Sequence, residues 1–172
     1  MVDCGSTSNQ SIPYLNNEKI KSIIIDHHEI NKPFPKANVI INPKKNINNP
    51  SKDFYCATTL TYFFLEILIK KLKSSFNLSN YLVYVLLALV CDVMPLRKIN
   101  RYIGLNIYKG FKIKDNVFFK TLYELCNKKN NLTIEDLGFF IGPIINSGGR
   151  ISDSRIAADL LISENLNFIK AK

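Results

Sequence analysis

The chain has 172 residues, is 47% hydrophobic and 11% aromatic, and carries 23 Lys and Arg against 14 Asp and Glu, a formal charge of +9. That length and apolar content exclude a disordered tail and fit a single domain with a sizeable core, while the basic balance favours polyanionic partners, or simply reflects an AT-biased coding sequence rich in Lys, Asn and Ile codons. Cys4, Cys56, Cys91 and Cys126 are scattered with no C-x-x-C pair, which argues against a structural zinc site or a dense disulfide framework and predicts reduced thiols in a cytoplasmic protein.

In chain order, "MVDCGSTS" reads as the end of a strand whose beginning is missing, running into a glycine-containing turn. A short helix is expected within residues 8–21, near Pro13. "KSIIID" and "ANVIINP" are short, continuously apolar strands, the kind buried on both faces of a parallel sheet. A proline-punctuated loop, "NKPFPK", joins them, and a polar surface loop, "PKKNINNPSKDF", comes after. "ATTLTYFFLEILIKKL", from Ala57 to Leu72, predicts a helix apolar nearly all round and therefore buried. "YLVYVLLALVC", Tyr81 to Cys91, predicts a second buried helix and is too short to span a bilayer. Further helices are expected over residues 100–109, stopped by Gly110, and over 118–127. Thr133 and Asp136 stand at capping-box spacing. "INSGGR" reads as a small-residue loop and "SDSRIAADLLIS" as a final helix. No repeat or domain boundary interrupts the chain. The fold class is α/β, a parallel sheet with flanking helices and a helical second half, in one domain over 1–172.

Ligands of open α/β sheets gather beyond the carboxyl ends of the strands. Asp3 follows one strand end, and Asp26, His27 and His28 follow another. His27 and His28 are the only two histidines in the chain. Asp92 follows the second buried helix. If these ends meet, they form a rim of carboxylates and imidazoles, a donor set that suits Mn²⁺ or Mg²⁺. Each piece has a bland alternative: an Asp at a strand end is often a turn residue, Asp92 can simply close a helix, and adjacent histidines can be a surface accident. Convergence is what argues for a site.

These residues carry a resemblance. "IIIDHH", with "VDCG" upstream and "CDVMPL" downstream, resembles the DHH phosphoesterase superfamily. "ANVIINPKK", "LALVCDVMPLRKINRYIGLNIYKG" and "DLGFFIGPIINSGGRISDSRIAADLLIS" narrow it to the RecJ family of single-strand-specific 5′→3′ DNA exonucleases, and the likeness runs over nearly the whole chain. The resemblance implies roles. Asp3 matches a carboxylate bridging two metal ions, His27 a metal-binding histidine, and Asp92 a further ligand. Asp26 matches a partner that orients the His27 imidazole, and His28 a group beside the scissile phosphate. Arg150, with Asn146, Gly148 and Gly149, resembles a phosphate-binding loop that reads a 5′ end; a loop arginine in a surface salt bridge is the alternative.

The departures matter as well. The family's earlier D-x-D-x-D-G cluster has no counterpart, and Ile144 stands where the family has Arg in G-P-R-I-N. The family's flanking substrate-binding domain and OB-fold are not represented either. The chain thus reads as an incomplete DHH domain. Three functions are open: a Mn²⁺- or Mg²⁺-dependent exonuclease on single-stranded DNA in repair and recombination, with two metals in the complete enzyme; a small DHH phosphodiesterase for short oligonucleotides or cyclic dinucleotides; or an inactive nucleic-acid-binding remnant or split subunit, its partner a separately encoded N-terminal portion. No membrane partner is expected.

Overall fold

A computed structural model describes residues 1–46, 54–129, 131–151 and 155–171, with the backbone alone for 149–151. The order of elements is α1 (Ser11–Asn17), β1 (Ile23–Ile25), β2 (Val39–Ile41), α2 (Ala57–Lys71), α3 (Leu82–Cys91), α4 (Lys98–Gly110), α5 (Val117–Leu125), α6 (Ile134–Asp136), α7 (Gly142–Ile151), α8 (Arg155–Ile162) and α9 (Leu166–Ala171). The chain divides into two compact units, Met1–Ile103 and Gly104–Lys172, with the division falling inside α4.

In the first unit β1 and β2 pair in parallel, with Ile23, Ile24 and Ile25 opposite Val39, Ile40 and Ile41. Val2 forms a further parallel bridge to Ile25, so three chain segments end side by side. Three-residue strands of β-branched residues suit this pleated, crowded setting. The expectation of burial on both faces holds only in part. Ile24 and Ile25 are buried, but the paired first residues, Ile23 and Val39, are 41% and 44% exposed. In β1, burial deepens toward the carboxyl end.

The helix expected over 57–72 is present, but it is not buried all round. Ala57, Thr59 and Leu60 in its first turn are buried, whereas Ile67, Leu68 and Leu72 are exposed. α2 packs on α3 and on β1, and only its amino-terminal turns lie in the core. α3 meets the expectation: Val83, Val85, Leu86, Leu87 and Leu89 are buried. Its valines are mediocre helix formers, so packing holds this helix more than propensity does. All four cysteines are free. Among the described residues no helix is long and apolar enough to cross a membrane. Residues 47–53 of the expected polar loop lie outside the described residues.

The second unit is helical. α5 buries Phe118, Phe119, Leu122 and Tyr123 and packs against α8 and α9; α9 was not anticipated from the sequence. The Thr133–Asp136 capping box forms as expected, with reciprocal side-chain bonds. The next stretch departs from expectation. "INSGGR" is not a loop: residues 134–151 are helical throughout, α6 passing through a π-helical stretch, Leu137–Ile141, into α7. Pro143 explains the wide turn. A proline lacks the N–H and crowds the carbonyl four residues back, here Phe139, and a π turn ahead of it makes room. Gly148 faces Ala157 of α8, where an added Cβ would lie 3.5 Å from the Ala157 Cβ, an ordinary contact distance. The final helix expected from Ser152 is α8, and residues 152–154 of that expectation lie outside the described residues.

Candidate metal centre

The site is built at the carboxyl ends of the three parallel segments of the first unit. The Asp3 N–H donates to the Ile25 carbonyl at 3.0 Å, and the Asp26 N–H to the Ile41 carbonyl at 3.0 Å. Strand pairing thus carries Asp3 and the Asp26–His28 run to the same edge. Asp3 has φ +60°, a left-handed conformation that aspartate tolerates better than most residues. Gly5, at φ +111°, makes the turn that brings the chain back. A Cβ there would meet Ile24 Cγ1 and Cγ2 at 3.2 Å, so the position demands glycine by conformation and by space.

Asp26 is the hub, 1% exposed. Its Oδ2 accepts the Ser6 N–H at 3.0 Å. Its Oδ1 accepts the His27 N–H at 2.8 Å, the His28 N–H at 3.3 Å and the His28 ring at Nδ1, 2.7 Å. Burial alone raises the Asp26 carboxyl, but the bonds from Ser6 and His28 outweigh it and hold the group far below the ordinary carboxylate range. Asp26 is therefore a fixed anion that gathers two loops. The resemblance assigned Asp26 to the His27 ring. In the structure its side-chain partner is the His28 ring, and it holds His27 through the backbone.

His27, thereby positioned, is largely buried, and its Nε2 faces both outer carboxylates: Asp3 Oδ1 at 3.3 Å and Asp92 Oδ2 at 3.8 Å. Asp92 caps the carboxyl end of α3. The helix stops there in a Schellman pattern, Met94 N–H to Leu89 O at 2.9 Å and Val93 N–H to Val90 O at 3.1 Å. The left-handed position of that motif, normally glycine, is filled by Val93 at φ +54°, with 86% of its surface exposed. A β-branched residue in this conformation is strained, and the strain sits beside Asp92. Burial raises the Asp92 pKa and the Asp3 charge raises it further, against the lowering effects of His27 and His28. The two carboxylates repel each other across a shared imidazole. His28 is pushed up by its bond to Asp26, an effect reduced by desolvation and reinforced by the charges of Asp26, Asp3 and Asp92.

Ligand atoms of Asp3, His27 and His28 all lie within 4.8 Å of one another, and Asp92 reaches the same His27 nitrogen. Two carboxylate oxygens and imidazole nitrogens in one opening fit a divalent ion of the Mn²⁺ or Mg²⁺ kind, and an ion there would relieve the repulsion of Asp3 and Asp92. The expected rim residues Asp3, Asp26, His27, His28 and Asp92 are thus brought together. Asn146, Gly148, Gly149 and Arg150 are not part of this cluster; they lie on α7 in the second unit, where Asn146 is exposed and the Arg150 side chain is outside the described residues.

Two contributors escaped the sequence reading. Asn42 donates from Nδ2 to the Ser6 hydroxyl at 2.7 Å and to the His28 carbonyl at 3.0 Å, and both Asn42 and Ser6 are buried. Asn42 follows directly on β2, the same position that singled out Asp26 after β1, and that parallel was the available signal.

Known proteins share this arrangement of elements. Residues 1–89 match the family described as "DHH family, N-terminal domain". Over 179 residues the chain is 30% identical to the single-stranded-DNA-specific exonuclease RecJ of Escherichia coli (strain K12), covering 96% of this chain and 31% of that protein. It is 31% identical over 185 residues to the Salmonella typhimurium protein of the same description, with the same coverage. The chain thus spans about a third of the curated relatives it matches. Among solved structures, RecJ in complex with Mn²⁺ from Thermus thermophilus superposes with a TM-score of 0.80 at 22% identity, covering 99% of this chain and 25% of that one. An exonuclease RecJ bound to manganese gives 0.81 at 22% identity, covering 99% and 43%.

Proposed function

We propose, from the premise that the chain belongs to the DHH family, that it is part of a RecJ-type exonuclease acting 5′→3′ on single-stranded DNA in repair and recombination. The two units are read together as part of one DHH catalytic domain. The observation that carries the proposal is the convergence of Asp3 Oδ1 and Asp92 Oδ2 on His27 Nε2 at the ends of parallel strands. The manganese-bound RecJ structures and the description of the curated relatives support it.

In this reading Asp3, His27 and Asp92 hold a divalent ion, Mn²⁺ or Mg²⁺. Such an ion supplies Lewis acidity to water and to phosphodiester oxygens, and a pair of ions does so on both sides of an in-line displacement. The residues of the chain do the rest. Asp26 fixes the His28 ring through Nδ1, and its negative charge favours the imidazolium. His28 then donates from its other ring nitrogen to a non-bridging phosphate oxygen, where charge grows in the transition state. Water attacks phosphorus, the bond from phosphorus to the 3′ oxygen of the terminal nucleotide breaks, and a 5′-mononucleotide leaves. Arg150, with Asn146, Gly148 and Gly149 on α7, is the proposed phosphate contact for the strand, guanidinium to phosphate oxygens. The burial of Asp26, Ser6 and Asn42 and the bonds among them support their role as a fixed framework for the site.

Calorimetric titration with Mn²⁺ tests the proposal. The chain is expected to bind Mn²⁺ more tightly than about 100 µM, roughly −5.5 kcal/mol, and both His27→Ala and Asp92→Ala are expected to weaken it. Binding that is absent, or equal in all three proteins, would sink the assignment of these ligands.

A further inference from the structure

The second unit carries a concavity that neither the metal centre nor the α7 phosphate contacts involve. It is an open groove of about 550 Å³ between the 3₁₀ turn Ile113–Asp115, α5 and the segment leading to α6. Its rim holds Lys112, Lys114, Lys120, Lys128 and Lys129 against a single acid, Glu124. Two of these lysines are already engaged. Lys128 is bound to Asp136 and lies over the Phe140 ring, 4.5 Å from its centroid. Lys120 stands 3.9 Å from Glu124, one turn along α5. Lys112, Lys114 and Lys129 are exposed and form no ion pair among the described residues. Phe111 and Ile113, both half-buried, line the groove with the ring of Tyr123.

We infer that this groove binds the phosphodiester backbone of a single nucleic-acid strand. The donor chemistry decides between a strand and a lone phosphate. A single phosphate is gripped by converging, preorganised donors: arginine forks, free backbone N–H groups, a helix amino terminus. No arginine lines the groove among the described residues. The α5 amino terminus beside it is already capped by the Asn116 side chain, which accepts from the Phe119 N–H. The groove instead offers a row of point charges on flexible stems along an open channel, which suits a repeating anion bound without fixed register. The aromatic lining favours a strand with bases over a plain polyanion, since Phe111 offers a surface for base stacking. The Tyr123 hydroxyl is committed to Asp136 at 2.7 Å, so its ring is a rigid wall. Lysines here read no base edges, so binding is insensitive to sequence and steep in salt. The class of ligand rests on the function proposed above, but the groove requires nothing of the metal centre.

The test is binding of a fluorescein-labelled oligothymidine to the purified chain in EDTA, across a salt series. The triple variant Lys112→Gln, Lys114→Gln, Lys129→Gln removes the three unpaired charges. It is expected to bind about 10-fold more weakly at 0.1 M salt and to flatten the log–log salt dependence by about 2, at about 0.7 for each phosphate no longer neutralised on a single strand. A charge-matched control, Lys70→Gln, Lys71→Gln, Lys73→Gln, changes exposed lysines on and just after α2 and is expected to leave both quantities unchanged. The inference is overturned if the groove variant keeps wild-type affinity and slope, or if the control weakens binding as much. It is overturned too if polyglutamate of equal charge competes as well as unlabelled oligonucleotide, since the ligand would then be any acidic chain. Failure of Mn²⁺ titration with a weakened groove variant leaves the groove standing alone; Mn²⁺ binding with an unaffected groove variant removes the groove alone.

Discussion

Two buried aspartates organise the two units, and they differ in what they are bound to. Asp136, in the second unit, accepts from Lys128, from the Tyr123 hydroxyl at 2.7 Å and from the Thr133 hydroxyl at 2.9 Å. Its charge is met by a cation, and the cluster is closed. Asp26, in the first unit, is met by backbone N–H groups and by a histidine ring. Beyond it lie Asp3 and Asp92, which share one imidazole. One cluster is internally balanced and serves stability. The other leaves negative charge facing an opening, which is what a cation site requires and what folding alone does not reward.

Experiment can dissolve this contrast. The largest effect is expected from Asp136→Ala. It removes the Asp136 half of the capping box, the bond from the Thr133 N–H, and leaves the buried Tyr123 hydroxyl unpaired, which together cost about 3 kcal/mol of unfolding free energy in a denaturant titration. Mn²⁺ affinity should be unchanged. A loss of Mn²⁺ binding in folded Asp136→Ala would erase the division of labour. His27→Ala should do the opposite. It should weaken Mn²⁺ by about 30-fold, roughly 2 kcal/mol, while the metal-free chain unfolds at the wild-type denaturant midpoint or close to it.

Acid probes the same division. Burial raises the Asp136 carboxyl, but Lys128, Tyr123 and Thr133 outweigh it and lower it from an ordinary 3.8 to about 2. A carboxyl whose folded pKa is depressed stabilises the fold above its unfolded value and loses that contribution as protons bind. On the order of 2 kcal/mol should therefore disappear between about pH 4 and pH 2. The Asp136→Asn variant should show a shallower fall over that window; an identical acid profile would remove Asp136 from the account. The smallest effect concerns backbone strain. Val93→Gly should raise stability by about 1 kcal/mol by relieving a left-handed valine. No gain in thermal midpoint would show that Val93 is not strained.

Much of the candidate site was legible because its signals are local. A β-branched run that ends in Asp-His-His marks a strand and its carboxyl rim together, and "MVD", read as the end of a strand, pairs with that same run and brings Asp3 alongside. The Asp26 partner was not legible. Asp26, His27 and His28 are consecutive, and which imidazole the carboxylate reaches depends on the turn they adopt, not on their order. The α7 helix was obscured for another reason. Gly148 and Gly149 read as loop formers when only propensity is considered, which does not show that a π turn absorbs Pro143 or that Ala157 packs beside Gly148. The exposure of Ile67 and Leu68 was invisible because an apolar helix does not announce which of its turns the rest of the chain covers.

Gly5 joins the two levels of the first unit. The same missing methyl that lets the backbone turn toward Asp26 also lets Ile24 fill the core beneath it. The candidate rim and the hydrophobic interior therefore meet at this one residue. A side chain at this position would strain the turn that carries Asp3 and press on Met1 and Ile24 in the same stroke.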